Sequence, residues 1–302
     1  AKSLDVQVTG TDSSIAASQD VRIVQKFEGQ DLQVLKYGTS DAEKVSLSFH
    51  VKSSTTGTYS ATLRHTNTSG TAYVNSLTFS ISSANTWEQK VLVFNGNTAQ
   101  DIRNTNTEGL RLEIYLAVGS NFTSGGGANA NSWTTGNTNR ASASNVNLMT
   151  STDNDFFLTG VQMEVGEFTS STLPPFQHET FDENKKRCAR YYYKVAEHGA
   201  DGLTNQTIGM GYYKSTSQWR ILCYLPVRPR TNPSLDSTSG TNFYINDLSG
   251  IDDTFNGVEL TRSNSDILQV VHVASNVSGT VGQAGESVAV ASGAYIAFKA
   301  EL

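Results

Sequence analysis

The sequence predicts an all-β chain: an N-terminal jelly-roll-like β-sandwich, a short helix, and a second, smaller β-sandwich. Three observations predict it. Apolar and polar residues alternate with a period of two along most of the chain, the signature of strands with one buried face. Of the 302 residues, 37% are hydrophobic and only 17% charged. The remainder is rich in Ser, Thr, Asn, Gln and Gly, which suits short strands joined by many turns and differs from charge-rich disordered chains. Helix signals occur in one stretch, near residue 182.

The strand pattern begins almost at Ala1, an abrupt start that raises the expectation of a longer parent chain. Val21–Phe27 alternates. Val45, Leu47, Phe49 and Val51 share one face of the next strand, and Tyr59–Leu63 and Leu77–Ile81 repeat the pattern. Val91–Phe94 follows Trp87. Leu110–Leu116 is the longest clean alternation, and Phe156–Glu164 closes the set. Thr56-Gly57, Asn95-Gly96 and Glu108-Gly109 supply turn chemistry between them. Strands in this number without helical periodicity between them predict a two-sheet sandwich over residues 1–173. Between Gly119 and Asn154 the alternation stops in a polar, Gly-rich stretch, and a loop of that length is expected to be functional or mobile.

Pro174-Pro175 ends the first domain, and residues 174–193 read as a linker. Within it, Asp182–Tyr191 has acids at its start and bases toward its end, as a helix dipole favours. Residues 194–302 read as the second sandwich. Its strands are Trp219–Leu225, Phe243–Ile245, Val258–Leu260, Ile267–Val273 and Ala294–Phe298. Pro226 and Pro229 mark an edge or an exit from the sheet.

Net charge is −6, and the densest basic cluster is Lys185-Lys186-Arg187. Nucleic acid is therefore not an expected partner, because phosphate binding needs clustered cations. No apolar run approaches the roughly 20 residues of a membrane span, so membrane insertion is not expected. Cys188 and Cys223 lie at no zinc spacing and read as plain thiols, with their pairing left open. Asp153-Asn154-Asp155 and Asp252-Asp253 offer hard oxygen donors for a structural calcium ion, but neither has EF-hand spacing, so no cofactor is expected. The five histidines are scattered, and solvated strand positions account for most of them. No nucleophile elbow, H-E-x-x-H or P-loop occurs, so the chain is not expected to be an enzyme.

Gly160-Val161-Gln162-Met163-Glu164-Val165-Gly166, then Pro174-Pro175-Phe176-Gln177-His178, then Cys188-Ala189-Arg190-Tyr191-Tyr192-Tyr193 form a pattern. It resembles a segment of tailed-bacteriophage structural proteins, often marine ones, reading G-V-Q-L-E-x-G, A-T-P-F-E and C-Q-R-Y-Y. Phe27–Leu32, Gly38–Ser40, Val45–Phe49, Ala84–Glu88 and Ala300–Leu302 look like the same family. Met163 replaces the family's Leu, and Gln177 replaces its Glu, which removes any role for an acid there. The resemblance implies a virion protein, such as a tail fibre, whose first domain is similar to jelly-roll carbohydrate-binding modules. It also implies a homotrimer joined to other tail proteins and located in the virion tail, with a host cell-surface glycan as ligand.

Sugar binding on a β-sandwich needs an aromatic platform with amides or carboxylates nearby. Trp133, flanked by Asn131 and Asn137 in the polar loop, is the first candidate. Tyr212, Tyr213 and Trp219 in the distal domain are the second. Trp87 opens a strand and reads as structural. Alternative functions are a capsid decoration or fibre-adaptor protein, and a polysaccharide depolymerase, which would require two carboxylates across a cleft.

Overall fold

Among the described residues nine strands form up to Val165, the long ones turning alternate apolar side chains into one core. They are β1 (Leu4–Gln7), β2 (Asp20–Glu28), β3 (Val45–Ser53), β4 (Gly57–Thr66), β5 (Ala72–Ile81), β6 (Glu88–Phe94), β7 (Glu108–Val118), β8 (Thr134–Thr135) and β9 (Asp155–Val165). The structure is a computed structural model and describes residues 2–302 apart from 203, 249–250, 263, 265 and 274–275. One sheet runs β1-β9-β3-β6 and the other β2-β7-β4-β5-β8, and every strand pair is antiparallel. Apart from the hairpin β4–β5, each long strand crosses to the opposite sheet. This is the jelly-roll path, with the two-residue β8 added at one edge. Leu47, Phe49 and Val51 of β3 face Tyr59, Ala61 and Leu63 of β4 and Leu112 and Ile114 of β7 in one core.

The chain divides into two compact units, residues 1–177 with Leu302, and His178–Glu301. The helix α1 (Phe181–Ala189) therefore groups with the second unit instead of forming a linker between two domains. Thr180 builds a capping box: its hydroxyl accepts from the Glu183 N–H at 3.3 Å, and the Glu183 carboxylate accepts from the Thr180 N–H at 3.0 Å. That reciprocal pair, with Asp182 in the first turn and Lys186 and Arg187 in the last, starts and orients the helix.

Among the described residues ten strands follow: β10 (Tyr192–Glu197), β11 (Gln206–Ser215), β12 (Gln218–Tyr224), β13 (Ser234–Ser237), β14 (Tyr244–Leu248), β15 (Ile251–Phe255), β16 (Glu259–Arg262), β17 (Leu268–Val273), β18 (Ala284–Ala289) and β19 (Tyr295–Lys299). They form a seven-stranded sheet, β15-β14-β18-β11-β12-β17-β16, and a three-stranded sheet, β10-β19-β13. Their core holds Trp219, Tyr213, Tyr244, Phe255 and Ile296. β12 is interior, so Pro226 and Pro229 mark an exit from the sheet and not an edge strand.

Candidate functional site

The long stretch after β7 is not a free loop. It lies on the outer face of the five-stranded sheet, held by a buried ion pair. Alternation along β7 turns Glu113 away from the core, where its carboxylate is fully buried beneath Arg140. Arg140 donates from Nη2 at 2.7 Å and from Nε at 3.2 Å, and the Tyr115 hydroxyl donates at 2.7 Å. Burial pushes the Glu113 carboxyl up, but the Arg140 bonds and charge, the Tyr115 bond and the Arg22 charge outweigh it and hold it below the usual carboxylate range. Backbone contacts complete the attachment: the Arg140 carbonyl accepts from Thr62 Oγ1 at 2.5 Å, and the Val146 N–H donates to the Thr58 carbonyl at 2.8 Å.

This path carries Trp133 and Asn131 to the edge where the two sheets part. Asn131 bridges them: it accepts from Asn75 Nδ2 of β5 at 3.0 Å and from the Asn95 N–H at 2.9 Å, and donates to the Val93 carbonyl of β6 at 2.9 Å. Trp133 packs against the core, edge-on to Tyr37 and His65 with centroids 5.5 and 4.7 Å away, and donates Nε1 to the Asn95 carbonyl at 2.8 Å. The pair expected to offer a sugar platform thus helps to close the sandwich, with Trp133 half-buried and the Asn131 amide bonded on both sides. Asn137 sits exposed beside the turn glycine Gly136, whose φ is 86°.

His65, one of the five scattered histidines, is fully buried in this aromatic group. Asn97 Oδ1 accepts from the N–H groups of Ala99 and Gln100, so its Nδ2 must face His65 Nε2, 2.8 Å away. Nε2 is therefore the acceptor, and the proton resides on Nδ1. Burial pushes the imidazole down to about 4, against the opposing charge of Asp101, so the ring is neutral at pH 7.

The distal candidates separate. Trp219 and Tyr213 have no exposed surface and cannot meet a ligand arriving from solvent. Trp219 Nε1 donates to Ser287 Oγ at 2.8 Å, and Tyr213 packs edge-on to its ring and bonds Asp253 through its hydroxyl. Gly211 makes room for the indole, since a Cβ there would overlap its nitrogen. Tyr212 points to the opposite side of β11 and is half-buried beside Arg220.

A different tryptophan reaches solvent. Trp87 is 44% exposed at the start of β6. The crossover from β5 is fixed by Glu88, whose carboxylate accepts from the N–H groups of Ser82 and Ser83 at 2.8 and 2.9 Å, and by the left-handed Asn85, whose N–H reaches the Ser53 carbonyl at 2.8 Å. Trp87 meets Phe157 edge-on with centroids 6.4 Å apart. The Lys52 ammonium lies 4.2 Å from the Phe157 centroid and 5.7 Å from that of Trp87. Lys52, Phe157 and Asp5 stand in register across β3, β9 and β1, so one outer row of the four-stranded sheet presents two aromatic rings, an ammonium and a carboxylate. The polar Ser82–Thr86 segment before Trp87 carried a signal for exposure, but its place at a strand start and within the Ala84–Glu88 family pattern made the residue read as structural.

Comparisons with known proteins leave this chain on its own residues. No family model matches it, and no curated protein matches it. Two solved structures overlap nearly its whole length. The N-terminal CBM22-1–CBM22-2 tandem domain of Xyn10C from Paenibacillus barcinonensis is 9% identical, with a TM-score of 0.24 over 99% of this chain and 86% of that one. A secreted protein from Parabacteroides distasonis is 10% identical, with a TM-score of 0.20 over 99% and 89%. Similarity at that level carries no argument about fold or ligand.

The remaining concavities differ in chemistry. A groove of about 560 Å³ is lined by Ile23, Phe27, Leu112, Ile114, Leu158 and Met163, with Gln25 as its polar residue, which is too apolar for a sugar. Among the described residues no group of three or more His, Cys, Asp or Glu side chains is placed to hold a metal ion. Asp155 instead accepts from the Ser54 N–H at 3.0 Å, and Asp253 from the Ser278 N–H at 2.7 Å; the Asp252 side chain lies outside the described residues. Cys188 is exposed and Cys223 buried, and both are free thiols; burial pushes the Cys223 thiol up to about 12.

Proposed function

We propose that this chain is a glycan-binding virion protein of a tailed bacteriophage, the host-facing part of a tail fibre, acting without catalysis. The observation that carries the glycan reading is the exposed Trp87 ring, buttressed by Phe157 and Lys52, with Asp5 at the far edge of the same sheet face. A flat indole face takes the C–H side of a pyranose, while the Lys52 ammonium serves its hydroxyls. The virion assignment is supported by the residue pattern across 160–193, and the homotrimer and its attachment to other tail proteins belong to the same expectation. One shallow platform binds weakly, and repetition on a fibre supplies avidity.

The test is competition. The free chain, added before phage, is expected to block adsorption to host cells. Trp87→Ala is expected to raise the blocking concentration about tenfold, the equivalent of 1.4 kcal/mol, with an unchanged melting temperature. Adsorption that proceeds normally in excess free chain would favour the decoration or adaptor role. Release of reducing sugar from host polysaccharide would make the protein a depolymerase.

A further inference from the structure

The outer face of the five-stranded sheet breaks a pairing rule beside the buried ion pair. Lys26 of β2 stands opposite Arg111 of β7, and Arg111 stands opposite Arg64 of β4. Three cations on adjacent strands thus form a line about 5 Å apart from one to the next. Like charges directly opposite each other destabilise a sheet, and sequences keep such arrangements mainly where they serve a function. Compensation is thin. Glu108 alone bonds all three: Arg111 at 2.7 Å, Arg64 at 3.3 Å and Lys26 at 3.8 Å.

Glu113 gives Arg111 a second partner at 3.4 Å but is held mainly by Arg140 at 2.7 Å, with Arg22 at 3.7 Å, and Asp20 pairs with Arg22. Against its burial, Glu108 and Glu113 together hold the Arg111 guanidinium above its ordinary pKa. Lys26 also donates to the Leu302 carbonyl. Burial, and then the facing Arg111, hold the Arg64 guanidinium below its ordinary pKa. The side chains of Lys26, Arg64 and Arg111 remain 35, 25 and 19% exposed, so an incoming anion can reach them.

We propose that the Lys26–Arg111–Arg64 row is a subsite for acidic glycan, taking the carboxylate or sulfate ester of a polysaccharide laid across the strands. Charge complementarity selects this occupant: a local cation excess on a chain whose net charge is −6. A short line of three cations meets a few sugar acids at a time and lacks the long track of cations that neutralises the phosphates of duplex DNA. The inference rests on the glycan-binding reading above but uses a different face from Trp87.

Binding of the full chain to alginate, dextran sulfate and neutral dextran, measured at low and at physiological salt, tests it. Alginate or dextran sulfate is expected to bind in a salt-sensitive way, and neutral dextran is not. Arg64→Gln and Lys26→Gln should each weaken binding about five- to tenfold. Arg64→Gln relieves a like-charge pair, so its melting temperature should hold or rise. Glu108→Gln, which removes the competing carboxylate, should tighten binding, an effect that a purely structural cluster would not give. No binding to either polyanion, or binding indifferent to Arg64→Gln and Lys26→Gln, overturns the proposal. Equal, Arg64-dependent binding of duplex DNA overturns the assignment to glycans. Adsorption separates the two readings. Arg64-dependent alginate binding in a chain that leaves adsorption untouched keeps the subsite and sinks the fibre role; blocked adsorption without polyanion binding does the reverse.

Discussion

Trp133 and Trp87 exchange the roles their neighbours in sequence imply. Trp133 has polar flanks, yet its environment is built by Tyr37, His65 and Asn95 from other segments, and no local pattern reports such contacts. Trp87 stands directly before a strand, yet the crossover turn leaves its ring partly in solvent. His65 shows the same limit. The alternation Tyr59, Ala61, Leu63 continues through it on the core face. Burial is what keeps it neutral, and the Tyr37 and Trp133 rings and the Asn97 amide that bury it come from other segments. Its titration is a direct test. The imidazole pKa falls from about 6.5 in the unfolded chain to about 4 in the fold. As pH drops through that window the unfolded chain takes a proton that the folded chain refuses. Stability contributed by the neutral ring is therefore present above about pH 6.5 and lost on the way to pH 4, at up to about 1.4 kcal/mol per pH unit. Denaturant midpoints across the window should fall more steeply for the wild type than for His65→Gln. Parallel curves would mean that the ring is protonated inside the fold.

Among the elements, the long strands were legible because one face of each is buried, which writes a period of two into the sequence. Those that escaped notice lack it. β11 carries Gly209 and Gly211, and β18 reads Ala284-Gly285-Glu286, yet both lie inside the seven-stranded sheet. Their glycines answer to close neighbours on paired strands, Trp219 for Gly211 and the Asp247 carbonyl for Gly285, and no local rhythm reports those approaches. The stretch from Gly119 to Asn154 was legible as a break in the strand pattern. Its attachment was not, because that depends on Arg140 meeting Glu113 from 27 positions away. Arg140→Ala should strip the stretch from the sheet and cost about 3 kcal/mol near pH 7, the lower end for breaking a buried pair, since Arg111 and Tyr115 still hold Glu113. The depressed Glu113 pKa gives the pH signature: its contribution is present above the ordinary carboxylate value and is lost as pH falls through the folded-state value. The gap between wild type and variant in urea titrations should therefore narrow in acid, and limited proteolysis should cut the variant between Ser124 and Asn139. A gap of constant size would assign the Arg140 contribution to packing over the Tyr115 and Phe122 rings, 5.8 and 5.2 Å away.

For the whole molecule, two cores with separate membership imply two separable units. The sequence marked the join through Pro174-Pro175 and a short helix with acids at its start and bases at its end, but assigned that helix to a linker because nothing local shows which core such a segment accompanies. The first unit closes its sandwich with its own residues: Asn131 ties the two sheets together, and Trp133 seals their edge. About 170 residues can bury enough apolar surface for independent stability. A fragment of residues 1–177 should therefore fold alone, with a β-rich circular dichroism spectrum and one cooperative thermal transition. It should also retain both binding surfaces, since Lys52, Trp87 and Phe157 on one sheet and Lys26, Arg64 and Arg111 on the other all lie within it. Polyanion affinity within about twofold of the full chain's, with the same sensitivity to Arg64→Gln, is the expected result. A fragment that melts without cooperativity, or that folds but loses its affinity, would show that the binding surface depends on residues beyond 177.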